Sequence, residues 1–94
     1  MTKRLAHNAA ATRFEIYLDD TLAGYADYAD NPETKVREFH HTMTFPEFRG
    51  RGVAADIVRF ALDDSRAQGF SVIPTCWYVD DYITAHPEYA DLVA

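Results

Sequence analysis

Arg49-Gly50-Arg51-Gly52 is the stretch of this chain whose residue types point most directly to chemistry. Glycine is costly inside regular structure, and arginine in an apolar setting needs a partner. The run stands just ahead of the apolar stripe of a helix. The first amides of a helix have no internal acceptors and carry the positive end of its dipole. A phosphate or pyrophosphate suits such an end, glycines let the backbone come close to it, and Arg49 and Arg51 would add charge-assisted contacts. The run is not a P-loop, since no Gly-Lys-Ser/Thr follows, nor a dinucleotide fingerprint, since Ala55 stands where a third glycine is required. The bland alternative is a strand-to-helix turn with two solvated arginines. Cys76 is the one cysteine, either a reactive thiol or a small buried hydrophobe. His40 and His41 diverge on a strand, and no Cys-x-x-Cys or His-x-x-x-His spacing exists, so no metal site is expected.

These groups need elements to hold them. "RFEIYLDD" alternates, with Phe14, Ile16 and Leu18 on one face, and reads as a half-buried strand. "DDT" is a tight turn and "LAGYADYAD" a second strand, ended at Asn31-Pro32. In "KVREFHHTMTF", Phe39, His41, Met43 and Phe45 share a face. Val36 is out of phase with them, which suggests a bulge or twist near Arg37–Glu38. Val53, Ala54, Ile57, Val58, Ala61 and Leu62 form a helical stripe closed by Gly69. "FSVIPT" is a short strand, and "VDDYITAH" a brief helix that Pro87 ends. The early strands should be antiparallel. The strand–helix–strand from Phe39 to Ile73 should make its two strands parallel neighbours that separate toward Phe45 and Pro74.

At 94 residues the chain is read as one domain, 1–94, with residues 1–12 a loose lead-in. Its net charge of −6 disfavours non-specific nucleic-acid binding and suits cationic or amine partners. With one cysteine, no basic-then-apolar leader and no apolar run of membrane-spanning length, the expectation is a soluble cytoplasmic protein, most simply a monomer.

"FPEFRGRGVAADIVRFAL" resembles the acetyl-CoA signature of the GCN5-related N-acetyltransferases, Gln/Arg-x-x-Gly-x-Gly/Ala opening a helix. Both glycines match, and Glu47 stands where Gln or Arg is usual. The ordered set "HTMTFPEFRGRGVAADIV…VIPTCWYVDDYITAHPEY" is similar to the small single-domain acetyltransferase-like subgroup that lacks the usual N-terminal helices, and covers nearly everything after Thr12.

The resemblance implies an α+β fold, a mixed antiparallel/parallel sheet with a long helix crossing between two splayed parallel strands. It implies acetyl-CoA as cosubstrate. Its pantetheine would pair with strand backbone at Met43, Thr44 and Phe45, and its pyrophosphate would rest on Arg49, Gly50, Arg51, Gly52, Val53 and Ala54. Cys76 would then abut the splay near the thioester and meet His41, which on this reading lies on the apolar face of its strand and acts as base toward an amine. A backbone amide near Phe45 would polarise the carbonyl. Tyr82 or Cys76 would protonate the departing thiolate, or Cys76 would act as nucleophile and form an acyl-enzyme first, and His86-Pro87-Glu88-Tyr89 would be mainly structural. Trp77 and Tyr78 either flank a substrate pocket or cover the core. The function so implied is transfer of an acetyl group to an unidentified amine, on a small molecule or a protein. The alternative is a CoA-binding module with little turnover.

Overall fold

The computed structural model describes residues 2–94. Its sheet contains β1 (Lys3–Asn8), β2 (Arg13–Leu18), β3 (Thr21–Asn31), β4 (Val36–Thr44) and β5 (Ser71–Pro74), in that spatial order. Neighbours from β1 to β4 are antiparallel, and β4 and β5 are parallel. Two helices, α1 (Val53–Ala67) and α2 (Trp77–Ala85), are joined by β5, and a 3-10 segment runs from Pro87 to Leu92.

The turn after β2 tightens as "DD" suggests. Asp19 and Asp20 both have positive φ, the two-residue hairpin geometry that matches strand twist. α1 buries Val53, Ile57, Val58, Ala61 and Leu62 against the sheet. It stops where Gly69 takes φ +78°, which lets Phe70 N–H return to Ser65 C=O at 2.9 Å. Val79 of α2 joins Val58, Ala61, Leu62 and Phe39, so both helices lie on one face. Among the described residues no α-helix lies on the other face. Long side chains cover it instead: Arg4 lies over the Tyr17 ring and Arg13 over the Tyr25 ring, at 4.1 and 4.7 Å.

The first residues are not a loose lead-in. Lys3–Asn8 pairs residue for residue with Leu18–Arg13. The strand is held from its buried side, where the His7 ring stacks on Phe14 at 4.2 Å and its Nε2 meets Tyr28 Oη at 2.6 Å. The bulge is also displaced from its expected place. Tyr28 faces Phe39 but Asp27 faces His41, so the extra residue is His40. Before it, Arg37 is buried at 3% exposure and forks onto Asp30, with further bonds to Asp64 and Ser65. Aspartates therefore hold this guanidinium under the C-terminal half of α1, at the end of the sheet away from Gly52.

Gly24 fixes how closely α1 can start. A Cβ there would lie 2.5 Å from the Met43 carbonyl oxygen and 3.0 Å from Val53 Cγ1.

Candidate functional site

The β4–β5 ladder ends early. Its last pair is Phe39 with Pro74, followed by a single bond from Cys76 N–H to Phe39 C=O at 2.9 Å. β4 itself continues to Thr44 along β3. Beyond Phe39, no strand of the described residues pairs with its outer edge. Phe45 N–H donates to Ala23 C=O at 2.9 Å, so by alternation Phe45 and Met43 turn their amides inward, and Thr42 and Thr44 turn theirs to the open edge. The amide expected near Phe45 is thus spent inside the sheet, and Thr42 and Thr44 carry the available groups. An open slot of about 600 Å³ follows this edge, between β4 and the start of α2.

The glycine run stands at the helix-side end of the slot. Gly50 and Gly52 have φ of +79° and +73°, and a Cβ on either would meet nothing within 4 Å. Conformation, not crowding, therefore demands glycine, and the space left open lies above the backbone. The first helical bond runs from Asp56 N–H to Gly52 C=O, which leaves the amides of Val53, Ala54 and Ala55 ahead of it. Arg49 and Ala54 line the slot. Arg51 lies near the Phe48 ring, 5.9 Å from its centre. Of the expected cofactor residues, Met43, Thr44, Arg49 and Ala54 line this slot, whereas Arg51 and Val53 line a separate recess with Lys3, Leu18 and Asp56.

The bulge decides which β4 side chains reach the thiol. Cross-strand partners share a face. Thr42 stands opposite buried Ala26 and Thr44 opposite Gly24, on the helix side, whereas His41 stands opposite Asp27 and Met43 opposite Tyr25, on the uncovered side. Cys76 Sγ accordingly meets Thr42 Oγ1, at 3.5 Å. The His41 ring packs by Tyr25, with centroids 5.9 Å apart. His41 and Cys76 border the same slot, but the expected direct pairing is replaced by one between Cys76 and Thr42. The one-residue insertion at His40 moved histidine off the core face.

The structure places Tyr82 outside this slot. Tyr82 lines a second groove, between α1 and α2, where it stacks on His86 with centroids 4.0 Å apart. Tyr78, one helical turn earlier on the same face, borders both that groove and the slot. Burial, with Asp56 adding to it, pushes the Tyr78 phenol up from its ordinary value, so it stays protonated through neutral pH. From the sequence Tyr78 is either a pocket flank or a core cover. The i, i+4 spacing of Tyr78 and Tyr82 was the available signal, but which end of that face meets the slot is a tertiary fact.

A two-layer sheet whose parallel strands part beside a glycine-opened helix is the acetyltransferase architecture that the sequence motifs imply. Residues 13–92 match the model of the GCN5-related N-acetyl-transferase family, and the chain belongs to that family. It is 32% identical over 87 residues to Protein NATD1 of Xenopus tropicalis, covering 89% of this chain and 77% of that protein. To Protein NATD1 of Mus musculus it is 30% identical, covering 89% and 76%. In structure it is similar to a GCN5-like protein from Staphylococcus aureus solved in solution, with TM-score 0.71 at 17% identity over 97% of this chain and 87% of that one. It is also similar to Ard1 from Thermoplasma volcanium, with TM-score 0.61 at 15% identity over 80% and 54%. Among the described residues no helix is long and apolar enough to cross a membrane.

Proposed function

We propose that this protein transfers the acetyl group of acetyl-CoA to an amine. The observation that carries the reading is the open outer edge of β4 facing, across one slot, Arg49 and Ala54 at the two ends of the glycine-opened helix start. Thr42 and Thr44 backbone would bind an extended amide-bearing arm, and Arg49, Arg51 and the Val53–Ala55 amides would hold a pyrophosphate. The residues present fit acetyl-CoA, which supplies the activated acyl thioester.

The amine nitrogen attacks the carbonyl carbon, the new C–N bond replaces C–S, and the nitrogen loses a proton. His41, or a water it holds, takes that proton from the uncovered side of the slot. An edge amide of Thr42 or Thr44 polarises the carbonyl. Tyr78 gives its phenolic proton to the departing thiolate, which leaves as the free thiol, and the phenol is restored by a proton from water. Cys76, bonded to a hydroxyl and not to a base, shapes the acyl end, so transfer is direct. The uncovered sheet face favours a second reading, a CoA-binding module with little turnover, because no helix encloses an acceptor there. A cytoplasmic monomer is the setting we propose. Calorimetry with CoA and acetyl-CoA, followed by thiol-release assays over an amine panel, tests both readings. Acetyl-CoA binding with thiol release supports transfer, binding without release supports the module, and absence of binding removes both.

A further inference from the structure

The slot ends against a wall where β4 and β5 part. Thr42 and Cys76 both border the slot there, and Thr42 Oγ1 and Cys76 Sγ meet at 3.5 Å. Behind them lies the core. Ala26 faces Thr42 in register, the Phe39 carbonyl holds the Cys76 amide, and Val79 stands one helical turn after Cys76. Ala26, Phe39 and Val79 close with Val58, Ala61 and Leu62 on a space too narrow for a water molecule. Cys76 is itself part of this core, at 9% exposure. A threonine side chain and one sulfur therefore separate the slot from a dry apolar interior.

The two faces of β4 set the direction of an acyl group. An arm paired along Thr42 and Thr44, with its pyrophosphate beside Arg49 and Ala54, brings its thioester to the walled end. The amine arrives on the uncovered side, where His41 stands opposite Asp27. The alkyl part of the acyl group then turns the other way, toward Thr42 and Cys76.

We propose that the Thr42–Cys76 wall measures the acyl chain, admitting two carbons and rejecting longer ones, with the size of the side chain at Cys76 setting the limit. This inference rests on the acetyl-transfer reading for the position of the thioester, not for turnover. Removing the sulfur would leave a gap of methylene size against apolar neighbours, which stays dry and accepts an apolar group.

Calorimetry with acetyl-, propionyl- and butyryl-CoA tests it without any acceptor. Each affinity is divided by that for free CoA, so a general loss of folding or of phosphate binding cancels. Wild type should bind acetyl-CoA about tenfold or more tightly than propionyl-CoA. Cys76→Ala should bring the two within about threefold, and butyryl-CoA should remain weaker. Thr42→Ser takes a methyl from the same wall, keeps the hydroxyl, and should move the ratio in the same direction. Cys76→Val, which crowds the acyl end, should weaken acetyl-CoA against free CoA by about tenfold. Equal binding of acetyl- and propionyl-CoA by wild type would overturn the proposal, as would ratios that ignore both Cys76→Ala and Thr42→Ser. Ratios that follow the size of this side chain, without thiol release from any amine, would uphold the wall and sink the acetyl-transfer reading instead.

Discussion

Thr42 Oγ1 lies 3.5 Å from Cys76 Sγ, across the point where β4 and β5 part. A hydroxyl does not take a thiol proton at neutral pH, so the contact positions the sulfur without activating it. Incubation with acetyl-CoA alone should therefore leave the intact mass unchanged, and Cys76→Ser should keep most turnover. Cys76→Ala should cost about 1 kcal/mol of stability from the lost packing. An acetylated Cys76 peptide in a tryptic digest would show that an acyl-enzyme forms and that direct transfer is wrong.

Gly52 is held at φ +73° with open space above it. Gly52→Ala should cost about 1 kcal/mol of folding stability from the left-handed backbone, and its methyl should stand where a phosphate would approach. CoA affinity measured by calorimetry should fall about tenfold or more. A folded variant with unchanged affinity would remove the cradle assignment.

Tyr78→Phe should lower kcat about tenfold or more with CoA affinity preserved, since removing a proton or hydrogen-bond donor is felt in the transition state. Tyr82→Phe, in the neighbouring groove, should change kcat less. The reverse order would return the role to Tyr82.

Arg37→Ala strips Asp30, Asp64 and Ser65 of a shared buried donor. Unfolding in urea should show a loss of about 3 kcal/mol or more, with CoA affinity little changed because the site is at the far end of the sheet.

Two groups set opposite pH limits. Burial pushes the Glu15 carboxyl up, but hydrogen bonds from Arg13, Asn8 and Tyr17 outweigh it and hold the group below its ordinary value of 4.5. Its contribution is therefore full above that value and is lost as pH falls through the lowered folded one. Tyr89 is pushed up to about 12 by burial and by the hydrogen bond it donates to Asp63. That contribution is full below pH 10, its ordinary value, and is lost as pH rises toward 12. Urea unfolding across pH should show a shallower acid slope in Glu15→Gln and a shallower alkaline slope in Tyr89→Phe; slopes matching wild type would clear these groups of the effect.

The α1 stripe and the glycine run were legible because periodicity and positive-φ residues are local properties. β1 was not, because "KRLAHN" has one strong apolar residue, Leu5, and its hold comes from pairing with β2 and from His7 meeting Phe14 and, one strand further, Tyr28. The His40 bulge leaves no mark in composition, yet it moved every β4 side chain beyond it to the opposite face. The Cys76–His41 pairing rested on the phase before that insertion. Tyr78 was hidden differently, since its face was evident and only the packing of α2 shows which turn of that face meets the slot.

Gly24 touches both halves of the site with nothing but a hydrogen. Through it the Met43 carbonyl and the first residue of α1 share one point of contact. On the proposed reading, strand edge and cradle form one template, spaced through this contact. A ligand long enough to reach both would gain from each end at the ordering cost of one, as in chelation. Detached fragments would bind this template as strangers to each other, and only a covalent tether between them would convert two weak grips into a strong one.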